Sequence, residues 1–110
     1  MHGQFSKNID EKKLLWQEVA IRELAVLINV SVEAPGQKFL CETKLIIPQV
    51  EKLLTAVQFK KEDENSVDLV SRIMNLLSKL TRDQRGVQQI AENKNLIFRS
   101  ILYFNKAAYP

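Results

Sequence analysis

From Leu14 to Val32 the chain contains no Gly or Pro, and apolar residues return at Trp16, Ala20, Leu24 and Leu27. A second row, Val19, Val26 and Val30, is interrupted only by Glu23. Steps of three and four place each row along one side of an α-helix. Ile21 and Ile28 widen the apolar stripe, which predicts a helix covered on more than one side. Pro35-Gly36 is predicted to break it, since proline cannot continue a helix and glycine readily takes the reversed backbone of a turn. Gln37 to Thr43, with Phe39, Leu40 and Cys41, predicts a helix of two turns. The next helix opens near Ile46 with Pro48 in its first turn, where the missing N–H is harmless. It carries Ile47, Val50, Leu54 and Val57.

The polar stretch Lys60 to Asn65 predicts a loop, with Asn65 or Ser66 as the N-cap of the following helix. From Val67 two helical rows resume, Val67, Val70, Met74, Leu77 and Leu69, Ile73, Leu76, Leu80, ending near Thr81. Asp83 to Gly86 predicts a turn, Val87 to Glu92 a short helix, and Leu96 to Phe104 a last apolar helix. No segment alternates with period two, so no strand is predicted. The pattern specifies an all-α chain of six helical pieces, two of them short.

The order long helix, turn, short helix, helix occurs twice, and the two copies superimpose at a shift of fifty positions. Ala20 falls on Val70, Leu24 on Met74, Val26 on Leu76, Leu27 on Leu77 and Val30 on Leu80. Without a gap, Gly36 falls on Gly86, Leu40 on Ile90, Ile47 on Ile97 and Leu54 on Phe104, and the Glu42-x-Lys44 step falls on Glu92-x-Lys94. A unit of this size cannot bury its apolar face alone, so copies stack into a solenoid. A period near fifty with three helices per unit points to the armadillo and HEAT class, whose repeats run about 40 to 47 residues, rather than to the 34-residue tetratricopeptide class.

The segments carrying this pattern resemble the armadillo family. Leu27-Ile28-Asn29-Val30-Ser31 is similar to a third helix ending in Leu-x-Asn-Leu-Ser, Gly36 to Glu42 to a short first helix, and Ile46 to Leu54 to a second helix with an early proline and a Leu-Leu end. Leu77 to Thr81, Ile90 to Glu92 and Ile101 to Phe104 repeat the pattern less completely. The resemblance implies a right-handed α-solenoid of about two three-helix repeats, with copies over about 14–63 and 64–110 and a flexible leader over 1–13. The glycine that usually separates the first two armadillo helices is Lys44 in one copy and Lys94 in the other, which predicts junctions that differ in detail. Asn29 holds the place whose side chain, in peptide-binding armadillo proteins, clamps the backbone of an extended ligand; its counterpart is Lys79. The tryptophan of nuclear-import receptors, one turn earlier, is replaced by Ala25 and Asn75, which speaks against a nuclear-signal groove. In armadillo phase the chain starts with a third helix and ends after a second, and neither end carries a polar cap, which predicts a piece of a longer array. Some proteins that join tetratricopeptide to armadillo repeats are cytosolic chaperone adaptors, so the resemblance also allows an assembly-related role, although no tetratricopeptide unit is visible here.

Composition removes other classes. With 110 residues, 45% of them hydrophobic, and three Gly and three Pro, the chain is neither collagen-like nor disordered, and its length suits one ordinary domain. Cys41 is the single cysteine, so no internal disulfide forms, and a reducing cytoplasmic or nuclear compartment follows. No signal-peptide core or bilayer-length apolar run is present in the sequence. The net charge of +3 conceals an asymmetry: the first 55 residues carry seven charges of each sign, whereas beyond Asp68 seven basic residues face only Asp83 and Glu92.

Catalysis has little to stand on. His2 is the one histidine and lies at the terminus, so no Ser-His, Cys-His or metal-ligand set can be assembled around a pair of imidazoles. Cys41, between Leu40 and Glu42, reads as a packing residue, as free cysteines usually do. The glycines are too scattered for a phosphate loop. No enzyme activity, cofactor or metal is expected. The expected role is protein–protein interaction, as a scaffold or adaptor whose partner is an extended or acidic segment, with Asn29, Lys79, Arg82 and Arg85 as its candidate contacts. The alternative is a helical domain that binds nucleic acid or another acidic partner through the basic C-terminal half, but no helix is dense in Arg and Lys and no basic stacking platform is seen. Phe98, Tyr103, Phe104 and Tyr109 form the last apolar cluster, read as the face meant for a further repeat and hence as a site of self-association.

Overall fold

A computed structural model describes the backbone of residues 2–108 and the side chains of residues 11–107. Among the described residues six helices follow one another: α1 (His2–Val30), α2 (Ala34–Glu42), α3 (Ile46–Ala56), α4 (Glu64–Leu80), α5 (Gln84–Glu92) and α6 (Lys94–Ala108). No strand occurs among the described residues. The ends of α1 and α4, of α2 and α5, and the starts of the latter pair each lie fifty positions apart.

Several boundaries differ from the sequence expectation, each for a local reason. Helix α1 extends back through residues 2–13, so the helix starts well before the apolar rows do. Pro35 and Gly36 do not form the break; Pro35 sits in the first turn of α2, where its fixed φ suits a helix start, and the chain turns earlier, after Val30. The N-cap of α4 is Asp63, not Asn65 or Ser66, and its carboxylate accepts the Asn65 N–H at 3.2 Å. Asp83 caps α5 in the same way, accepting the Arg85 N–H at 2.9 Å. Ser66 is instead buried, and its hydroxyl ties the preceding loop to α4, donating to the carbonyls of Asp63 (2.9 Å) and Lys60 (3.0 Å).

The two repeat glycines serve close approach rather than a reversed backbone. Neither has positive φ. A Cβ on Gly36 would lie 1.6 Å from the Val30 carbonyl oxygen, and one on Gly86 would lie 2.0 Å from that of Leu80. Each short helix therefore starts pressed against the last carbonyl of the long helix before it. The residue that does take the left-handed conformation is Lys44, at φ 57°, in the place where the armadillo pattern has glycine. Its counterpart Lys94 is already inside α6; a junction unlike the glycine one is thus found at Lys94, while Lys44 keeps the left-handed backbone that glycine favours.

Packing joins each helix of the first triplet to its counterpart in the second, α1 to α4, α2 to α5 and α3 to α6. The hydrogen bonds that cross between triplets connect residues 39 to 49 positions apart, from Cys41 with Leu80 to Tyr103 with Leu54, all within one repeat length. Direction follows from the ends. Gln37 donates to the Ser31 carbonyl at the end of α1, and one turn later Cys41 Sγ lies 3.9 Å from the Leu80 carbonyl at the end of α4. Both long helices thus finish beside α2 and run the same way. Likewise the start of α6 meets Glu51 and Thr55 of α3, while Tyr103 further along meets Val57.

The core lies between the triplets. Leu24, Leu54, Leu69, Ile73, Leu76, Leu80 and Leu96 are sealed from solvent. Tyr103, expected on the exposed C-terminal face, belongs to this core: its hydroxyl donates toward the carbonyls of Val57 (2.7 Å) and Leu54 (3.2 Å), and Phe59 packs on its ring. Phe98 and Phe104 are exposed as expected, and Tyr109 lies outside the described residues. The radius of gyration, 15.2 Å, exceeds the roughly 13 Å of a compact chain of this length, in keeping with principal extents of 52 × 29 × 19 Å.

Candidate functional site

The long helices α1 and α4 lie side by side, and the cleft along their outer surface brings together Ala25, Ile28 and Asn29 with Asp68, Ser71, Arg72 and Asn75 in a volume of about 280 Å³. Helical spacing explains the set. Asp68, Ser71, Arg72, Asn75 and Lys79 follow one another at steps of one, three and four, so they form one stripe of α4. Arg72 Nε donates to Asp68 Oδ1 at 3.0 Å, and Lys79 Nζ donates to Asn75 Oδ1 at 2.6 Å. Asn29 stands exposed on the facing helix. The structure therefore brings Asn29 and Lys79 to one surface, linked through Asn75.

The other two candidates part company. Arg82 is exposed in the turn after α4. Arg85 turns to the first triplet instead, with its guanidinium 2.7 Å from Glu42 Oε1 and 3.5 Å from Asp83 Oδ1. Hydrogen bonding to Glu42, aided by the nearby Asp83 charge, stabilises its charged form. The basic cluster Lys79, Arg82 and Arg85 is thus divided, and part of the C-terminal positive charge is matched within the fold.

A larger cleft of about 650 Å³ opens between α2, α3 and α5, lined by Glu42, Lys44, Pro48, Arg85, Gln88 and Glu92 among others. Its polar groups already serve each other: Arg85 holds Glu42, Gln88 Nε2 donates to Glu92 (3.2 Å) and Gln89 Nε2 to the Cys41 carbonyl (2.7 Å). Cys41 at its floor is buried, and burial, the largest influence on it, pushes the thiol pKa up, which opposes the thiolate a nucleophile needs. Elsewhere on α3, Glu51 accepts from Asn93 (3.0 Å) and Asn95 (2.7 Å), and these two amides hold its carboxyl below the usual carboxylate range.

No family model, curated protein or solved structure matches the chain. Among the described residues, no group of three His, Cys, Asp or Glu side chains is placed to hold a metal, and no helix is long and apolar enough to cross a membrane. What the α1–α4 cleft offers chemically is hydrogen bonding. Asn29 presents a donor and an acceptor and Asn75 its amide donor, groups that complement a peptide unit, while Lys79, bonded to the Asn75 oxygen, supplies positive charge beside them and Arg72 is paired with Asp68. The sequence pointed to Asn29 and Lys79 but not to Asp68, Ser71, Arg72 or Asn75. The signal for Asn75 was present, one turn before Lys79 on the same stripe.

Proposed function

We propose that the chain is a protein-interaction module, a right-handed α-solenoid of about two armadillo-like repeats that receives an extended, acidic protein segment along the α1–α4 cleft. The observation that carries this reading is the joining of Asn29 to the Arg72, Asn75, Lys79 stripe on one surface of two parallel long helices. An extended segment leaves its backbone amides unpaired, and amide side chains spaced along a helix pair satisfy them without selecting side chains. Two supports stand beside it. The pairing of each helix of the first triplet with its counterpart in the second, α1 with α4, α2 with α5 and α3 with α6, is what stacking of equal units produces. The left-handed Lys44 also reproduces the backbone that the armadillo glycine would provide.

The nucleic-acid alternative is weakened by the same contacts, since Arg85 is held by two carboxylates and Arg72 by one. A cytoplasmic scaffold or adaptor role suits a module with one buried thiol and no catalytic set proposed for it.

Selection from an unbiased peptide library tests the reading. Selected peptides should be rich in Asp and Glu, and their binding should shift the NMR signals of Asn29, Arg72 and Asn75. Replacing Asn29 and Asn75 together by Ala should weaken binding about tenfold, the equivalent of roughly 1.4 kcal/mol for two amide contacts. Peptides that perturb only the α2–α5 cleft, or that bind the double variant equally well, would contradict the proposal.

A further inference from the structure

The two ends of the molecule are the two halves of its own internal joint. Val26 of α1 is 61% exposed, while Leu76, fifty positions on in α4, is sealed. Val19 and Val30 are likewise exposed where Leu69 and Leu80 are sealed. On the opposite face the inequality reverses: Leu54 of α3 is sealed under the second triplet, and its counterpart Phe104 in α6 is 72% exposed. The first triplet thus leaves open the face that the second buries against it, and the second leaves open the face that the first buries.

The same shift says which residues would meet if the joint were repeated between molecules. Inside the molecule Asn95 pairs with Glu51 and Gln89 with the Cys41 carbonyl. Moved by fifty positions, these pairs become Leu45 with Ile101 and Phe39 with Ala91. Leu45, Phe39 and Ile101 are all more than half exposed, at 66%, 63% and 56%. Polar pairs in the interior are replaced by apolar ones at the places where two copies would touch. Exposed apolar residues on both sides of a matched surface mark an interaction site.

We propose that copies of this chain stack head to tail, the α4–α5–α6 face of one copy receiving the α1–α2–α3 face of the next. Two different faces meet, so the contact does not close on itself, and assembly continues beyond a dimer. The proposal rests on the repeat geometry of the reading above but not on the peptide cleft, which lies on another surface.

Analytical ultracentrifugation of the whole chain over a wide concentration range tests it. The unmodified chain should show a weight-average mass that rises past the dimer without a plateau. A first-face variant, Phe39→Glu with Leu45→Glu, and a last-face variant, Ile101→Glu with Phe104→Glu, should each remain monomeric with unchanged helical circular dichroism. Mixed one to one, they should form a heterodimer and nothing larger, because each retains one intact face. Arg72→Glu, in the peptide cleft, should stack like the unmodified chain even if it fails to bind peptide, which separates failure of the cleft from failure of the joint. A clean monomer at high concentration would overturn the proposal, as would a mixture that stays monomeric. A first-face variant that still dimerises would do the same, since it would show two identical faces meeting.

Discussion

The interior joint and the two end faces are made from the same helices and differ in what lies against them. Between the triplets, α4 presents Leu69, Ile73, Leu76 and Leu80 to a complete neighbouring layer, and all four are sealed. At the first end, α1 presents Val19, Glu23, Val26 and Val30 at the equivalent places, and all four are exposed. The difference in residue type follows the difference in burial. Leucine and isoleucine fill the joint, and smaller valines with one glutamate occupy the open face. A helix row is therefore not a core by virtue of its period; the layer against it decides what burial is worth.

The largest predicted effect tests this inequality directly. Leu76→Ala should destabilise the fold by about 2–5 kcal/mol through lost transfer energy and a cavity, whereas Val26→Ala at the equivalent place should stay within about 0.5 kcal/mol, both read from urea denaturation of dilute protein. Equal losses would mean that the end face is as well packed as the joint.

Next come the glycines. Gly86→Ala should cost about 1–3 kcal/mol, because the added methyl meets the Leu80 carbonyl and outweighs the better helix propensity of alanine. Gly36→Ala should behave alike against the Val30 carbonyl. A stabilised variant at either place would show that the short helix can move away from the long one.

A smaller effect should separate the two junctions. Lys44→Gly should stabilise by about 0.5–1 kcal/mol, since a left-handed residue with a Cβ costs more than the flexibility that glycine adds. Lys94→Gly, at a helical position, should give no gain. Thermal denaturation of the pair reads the difference in sign.

The smallest effect is the pH dependence of the α3–α6 contact. The Glu51 carboxyl is held below its ordinary value by the Asn93 and Asn95 amides. A lowered folded pKa contributes stability that is present above the unfolded value of about 4.3 and is lost as pH falls through the folded value. Glu51→Gln should remove this contribution, so that stability falls slightly at neutral pH and the curve flattens in the acidic window where the contribution is otherwise lost. A curve of unaltered slope would show that the amides do not favour the charged carboxylate.

Much of the fold was legible because helical rows and a fifty-residue shift are local or periodic signals. The six helices, their order, the buried Cys41 and the matched glycines all follow from them. The caps were less legible, since Asp63 had to be chosen among adjacent polar residues and Pro35 suits either a break or a helix start. The early start of α1 is hidden because Lys12 and Lys13 interrupt the apolar row between Ile9 and Trp16. Arg85 was grouped with Lys79 and Arg82 by nearness in sequence, but its partner Glu42 lies 43 positions away and only the fold supplies it. Nearness in sequence likewise places Tyr103 with the exposed Phe98 and Phe104, whereas its acceptors are Leu54 in α3 and Val57 just after it.

The central claim is that the second triplet is the first carried sideways, with α1 and α4 parallel. Spin labels at Arg22 or Asn29 on α1 and at Asp68 or Asn75 on α4, introduced as cysteines in a Cys41→Ala background, measure this by double electron–electron resonance. The Arg22–Asp68 and Asn29–Asn75 pairs should give similar, short distances, and the crossed pairs Arg22–Asn75 and Asn29–Asp68 should each be longer, because seven residues of helix span about 10 Å. Short distances for the crossed pairs and longer ones for the other two would place the helices antiparallel and contradict the stacked repeat.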